Sequence, residues 1–122
     1  MGIDEHASGQ GISAELPLAE AYRLLDDKRI DIDRHMASLA PQDPARDILW
    51  QELEPILLKL REVVTSLAKS KATQLPDLRA KANVLAALLR AGEPGGGPVI
   101  PENEKSALAL SLTEDIARLT IG

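Results

Sequence analysis

The sequence predicts an all-α fold, an antiparallel helical hairpin plus two shorter helices packed as a three- or four-helix bundle. Two long stretches carry side chains at alternating spacings of four and three, all apolar except Arg29: Leu18, Tyr22, Leu25, Arg29, Ile32, Met36 and Leu39, then Leu49, Leu53, Ile56, Leu60, Val63 and Leu67. That period holds them on one stripe of a helix laid lengthwise against its neighbours. The composition agrees. Twenty Leu and seventeen Ala stand against one Trp, one Tyr and no Phe, a core of strong helix formers with little aromatic volume. Most prolines and glycines fall at the borders of the periodic stretches, where helices start and stop.

A flexible N-terminal tail is expected over residues 1–15, where Gly2, Ser8, Gly9, Gly11 and Ser13 leave few apolar side chains to offset the entropy of ordering. Residues 16–122 read as one domain, because a single core typically occupies about 100–150 residues. The first helix should start near Pro17, whose fixed φ suits a first turn, and run to about Ala40, where Pro41 ends it. Its stripe is narrow and carries Arg29 at an apolar position, so the seam there is expected to meet water or a carboxylate. Asp43-Pro44 opens the second helix, with the carboxylate as cap, and periodicity continues to about Ser70. Trp50, Leu57 and Val64 widen its face, which makes it the centre of the fold and Trp50 a core plug. Pro55 removes the amide that would bond the Gln51 carbonyl, so a kink or a break is expected over residues 51–55.

Thr73 is the expected cap of a third helix, with Pro76 in its first turn, Leu78, Ala82, Leu85 and Leu89 along its stripe, and Gly92 as its left-handed stop. Residues 92–101 then read as a flexible Gly/Pro linker. Asn103 caps the fourth helix, whose face is Leu108, Leu112, Ile116 and Leu119; a strand through Leu108, Leu110 and Leu112 is the weaker alternative.

Absent features narrow the function classes. Without cysteine there is no disulfide, zinc ribbon or thiol nucleophile, which suits a reducing cytoplasm. The first residues lack the basic and apolar regions of a secretion signal, and no run of about 18 apolar residues occurs, so no membrane association is expected. Gly2 fails as a myristoyl site because His6 stands where Ser or Thr is required. Asp27, Asp31 and His35 recur at steps of four on one helix face, a spacing able to ligate a divalent cation. Arg23 and Arg29 lie four residues before Asp27 and Asp33, so surface ion pairs account for the acids and no metal is assigned. Gly95-Gly96-Gly97 lacks the Lys-Ser or Lys-Thr and the immediate helix of a phosphate loop, because Pro98-Val99-Ile100-Pro101 follows. Only His6 and His35 are available as bases near neutral pH and no nucleophile motif is present, so no catalytic residue and no cofactor are assigned.

Charge falls in blocks. Residues 1–57 carry twelve acidic and five basic side chains, residues 58–92 two and seven, and the remainder five and two. An acidic arm beside a basic middle can pair within the chain, between copies or with an anion. The alternative function is therefore a regulator that grips an anionic ligand or nucleic acid through residues 59–90, with Arg79, Lys81 and Arg90 as its contacts. Direct nucleic-acid binding is disfavoured, since no aromatic lies between Lys59 and Arg90 and the whole chain has a net charge of −5.

The segments Thr73-Gln-Leu-Pro-Asp-Leu-Arg-Ala-Lys-Ala and Leu108-Ala-Leu-Ser-Leu-Thr-Glu-Asp-Ile-Ala-Arg-Leu119 resemble small helical proteins of unassigned function found in alphaproteobacteria. In those proteins a Leu-x-x-Lys-Ala element and a Ser-Leu-x-x-Asp-x-x-Arg-Leu element flank a variable linker. The resemblance implies a bacterial cytoplasmic protein and directs attention to Lys81, Asp115 and Arg118, a structural polar link in which Lys81 pairs with Asp115 and ties the fourth helix across the linker. The favoured function is a non-catalytic helical interaction protein. Its partner-binding residues are expected in the narrow stripe Leu18, Tyr22, Leu25, Arg29, Ile32 and Met36, a stripe that completes its burial against a second copy in a homodimer or against a protein partner.

Overall fold

The computed structural model describes residues 14–121, so residues 1–13 of the tail expected over residues 1–15 lie outside them, while Glu15 is no part of a tail, since it opens the first helix and is buried. Helices α1 (Glu15–Ala37) and α2 (Ala45–Lys69) form the antiparallel hairpin, followed by α3 (Leu75–Leu89) and α4 (Glu102–Ile121), with no strand among the described residues. Both α1 and α4 pack on α2 and on α3, which closes a four-helix bundle. Arg61 meets Glu104 at the start of α4 and Ser70 meets Ser111 two turns later, so α4 runs in the same direction as α2.

The main core gathers Tyr22, Leu60, Val64, Leu67, Val84, Leu88 and Leu108 from all four helices, with Ile100 from the connection before α4. A smaller cluster of Met36, Leu49 and Leu53, with Ile32, Leu39 and Leu57, comes from α1, α2 and their turn alone. The hairpin therefore extends past the two shorter helices. Trp50 stands on the outside of that extension at 48% exposure and is not a core plug, because Leu49 and Leu53 take the positions facing α1.

Local chemistry sets the boundaries. α1 stops short of Ala40 because the Ser38 hydroxyl donates to the His35 carbonyl and the Arg46 guanidinium donates to the Met36 carbonyl, each at 2.6 Å. Asp43 Oδ1 accepts the amide of Ala45 at 2.9 Å and starts α2. α2 then passes unbroken through Pro55. Pro55 and Gln51 are both exposed, so the carbonyl freed by the ring lies on the solvent side, where water replaces the lost bond. Neither Thr73 nor Asn103 is a cap. Gln74 takes that place in α3, with the Asp77 carboxylate accepting the amides of Thr73 and Gln74, and the first amides of α4 donate to the Pro101 carbonyl.

α3 and α4 are both turned from the faces that leucine spacing predicts. α3 buries Asp77, Ala80, Lys81, Val84 and Leu88 and leaves Leu89 exposed. α4 buries Leu108, Ser111 and Asp115 and leaves Ile116 exposed.

Residues 92–101 do not behave as a free linker. Gly97, Pro98 and Ile100 are buried, the Gly97 amide donates to the Ala87 carbonyl at 2.9 Å, and Gly92 and Gly95 take left-handed turns at φ +92° and +79°. A Cβ at Gly97 would lie 2.6 Å from the Tyr22 hydroxyl and 3.0 Å from the Ala87 carbonyl oxygen. Gly97→Ala is therefore expected to destabilise the fold by about 1–3 kcal/mol in chemical denaturation. An unchanged midpoint would show that the segment is not packed as described.

Candidate functional site

Three sets of residues were candidates, and the structure treats them differently. Lys81 lies on α3 with no exposed side-chain surface, and its ammonium donates to Asp115 Oδ2 at 2.5 Å, to Ser111 Oγ at 2.7 Å and to the Ser70 carbonyl at 2.7 Å. All three of its protons are used. Arg118 donates to Asp115 Oδ1 at 2.8 Å and to the Ala72 carbonyl at 2.6 Å. The two cations thus cap carbonyls at and just beyond the C-terminus of α2, where the helix dipole favours positive charge. Burial pushes the Asp115 carboxyl up, but hydrogen bonds from Lys81 and Arg118 outweigh it and hold the group below the usual aspartate range. This network ties α2, α3 and α4 together.

The same burial removes Lys81 from the anion-contacting trio. Arg79 on α3 and Arg90 at the cap just past its C-terminus remain exposed, while Lys81 is saturated inside the bundle and cannot reach a ligand. Arg61 is also engaged, donating to Glu104 through Nε and Nη2 at 3.1 and 2.6 Å. Lys59, Lys69 and Lys71 are exposed on α2 and just beyond it.

The stripe Leu18, Tyr22, Leu25, Arg29, Ile32 and Met36 does not offer a free face. Tyr22 and Met36 are buried, Leu18 and Leu25 pack against the main core, and Ile32 packs against the hairpin cluster. Arg29 is 12% exposed and donates to Asp26 at 2.5 Å, Asp33 at 2.9 Å and the Gly96 carbonyl at 3.0 Å. The docked glycine segment covers the level of the stripe that an outside helix was expected to cover. The Tyr22 hydroxyl is buried with no hydrogen-bond partner among the described residues, and burial raises its pKa above the usual tyrosine range. Tyr22→Phe removes an unsatisfied polar atom while keeping the ring. It is expected to leave the thermal midpoint unchanged or raise it; a clear fall would show that the hydroxyl has a partner in solution.

On the outer side of α1 the arrangement changes. Between α1 and α3 lies a trench of about 570 Å³. Its floor is Ala19, Ala80, Val84 and the Tyr22 ring, with the Asp26 carboxylate, paired with Arg29, at one end, and its walls are Leu16, Glu20, Arg23 and Asp27 from α1 and Pro76, Arg79 and Asn83 from α3. Small alanines at the floor keep it shallow and apolar. On the α1 wall Arg23 bridges Glu20 at 2.6 Å and Asp27 at 3.1 Å, and the hydrogen bond from Arg23 holds the Glu20 carboxyl below its usual range. Arg79, on the opposite wall, has no ion pair among the described residues. No family model, curated protein or solved structure matches this chain. The trench must be read from its own chemistry.

Asp27, Asp31 and His35 are all exposed on α1, and among the described residues no three His, Asp or Glu side chains lie together as a metal-binding group. A second hollow lies between α2 and the connection before α4, lined by Glu54, Leu57, Leu58, Arg61, Val99, Ile100 and Pro101. No described helix is long and apolar enough to cross a membrane.

Proposed function

We propose that this is a non-catalytic helical interaction protein of the cytoplasm that receives a helix of a protein partner in the trench between α1 and α3. The observation that carries this reading is an apolar floor between two charged helix ridges, the geometry in which an amphipathic helix lays its apolar face into a groove. The absence of catalysis is supported by where the chemistry-bearing groups lie. Lys81 and Asp115 saturate each other inside the bundle, the Tyr22 hydroxyl is enclosed beside Gly97, and the trench lining contains no histidine. Anion binding through residues 59–90 is less favoured, because Lys81 and Arg61 are already engaged by Asp115 and Glu104.

A photo-reactive side chain introduced at Asn83 tests the reading, with exposed Thr113 on α4 as the control position. Polypeptide adducts at position 83 that are absent at position 113 are expected in cells producing the protein. Equal labelling at the two positions, or none at either, would overturn it.

A further inference from the structure

We infer that the occupant of the trench is a second copy of this chain, seated about a two-fold axis that runs along it; the inference rests on the trench being a docking site. α3 turns back from α2 through a short connection, as α2 turns back from α1, so α1 and α3 run in the same direction on either side of the trench. The Gly96-Gly97 segment that follows α3 accordingly meets Arg29 and Tyr22 well along α1.

The charges on the two ridges have matching periods. Glu20 on α1 and Arg79 on α3 both line the trench. Eleven residues beyond Glu20 is Asp31, and eleven residues beyond Arg79 is Arg90. Eleven residues are close to three turns, so each pair shares a helix face and is separated by about 16 Å of rise; Arg90 is the C-cap of α3, and its amide still donates to the Ala86 carbonyl in the helical pattern. Asp31, Arg79 and Arg90 are exposed and have no ion pair among the described residues, and Glu20, also exposed, accepts from the neighbouring Arg23 at both carboxylate oxygens, at 3.1 and 2.6 Å, which leaves the second lone pair of each oxygen for a guanidinium from outside. The α1 ridge, where Arg23 and Asp27 bridge each other in between, thus presents carboxylates at Glu20 and Asp31, and the α3 side presents guanidiniums at Arg79 and Arg90 at the same spacing.

A two-fold axis parallel to the helices lays α1 of each copy over α3 of the other without changing heights. Glu20 then meets the partner's Arg79 and Asp31 meets the partner's Arg90, and symmetry repeats both pairs. The apolar floor and half-exposed Leu16 are closed from water in the same movement. A foreign partner would need the same charge pattern; a second copy has it by construction.

Sedimentation equilibrium of the full chain tests this. Dimers that dissociate as salt is raised are expected, because the rungs are ionic and lie at the rim. Arg79→Glu with Arg90→Glu should weaken self-association by about a hundredfold or more, since like charges then face each other at every rung. Glu20→Arg with Asp31→Arg should do the same, and mixing the two doubly reversed chains should restore a one-to-one complex. All four positions are exposed, and circular dichroism verifies that each variant remains helical. A monomer up to high micromolar concentration, a dimer indifferent to the reversals, or a mixture that does not recombine would overturn the proposal. If the chain is monomeric while the group at Asn83 still captures another polypeptide, the second copy is excluded and the docking site stands.

Discussion

Asp115→Ala should destabilise the protein by about 3–5 kcal/mol, the expected penalty for leaving one member of a buried ion pair without its partner. The variant retains Lys81 in a position with no exposed surface, where only Ser111 Oγ and the Ser70 carbonyl remain to accept from its ammonium. Arg118 also loses an anchor and keeps only the Ala72 carbonyl. For a domain of this size the loss corresponds to a fall in melting temperature on the order of 15 °C. A double variant, Lys81→Met with Asp115→Leu, should lie closer to the wild type than either single change, because no buried charge is then left alone. If Asp115→Ala melts within a degree or two of the wild type, the network is not closed as described.

The same carboxyl sets an acid limit. Folding holds Asp115 below its unfolded value of about 3.9. Its contribution is therefore complete above that pH and is lost as the pH falls through the lower folded value. Denaturation midpoints should decline below about pH 4, and Asp115→Asn should show a shallower decline over that interval.

Leu108→Ala should cost about 2–5 kcal/mol, while Leu110→Ala should stay within about 0.5 kcal/mol of the wild type. The two leucines are separated by one residue on the same helix and are chemically identical. Leu108 is wholly buried in the main core and Leu110 is 60% exposed. Removing the Leu108 side chain leaves a cavity at the meeting point of four helices, where the surrounding packing relaxes only in part. Urea denaturation separates the two cases. Equal losses for both would show that α4 does not present the face described here.

Much of the architecture was legible in the residues. Alternating four-three spacing in α1 and α2, the Asp43-Pro44 start and the Gly92 stop rest on backbone rules that act over one or two turns. The pairing of Lys81 with Asp115 was also expected, from a resemblance in motif rather than from spacing. The orientation of the short helices was not. α3 and α4 are rich in leucine on several sides, so periodicity gave no unique face. The buried Lys81–Ser111–Asp115 network turned each helix by about one residue, leaving Leu89 and Ile116 outside.

The trench was illegible for a different reason. By residue type alone Arg79 reads as an anion contact and Asp31 as one of a row of potential ligands, but the shared eleven-residue period has meaning only once α1 and α3 are known to be neighbours. Local propensity and period are enough to read from the residues four helices over the described part of the chain, their ends to within a few residues, and the apolar long face of α2. Packing of helix on helix is what consumes the narrow stripe of α1 within its own chain, docks the glycine segment, and sets two charged ridges beside an apolar trench. Those outcomes depend on which helix lies beside which. That choice is made by the summed burial of the whole core and by the need to satisfy the Lys81–Asp115 ion pair buried within it.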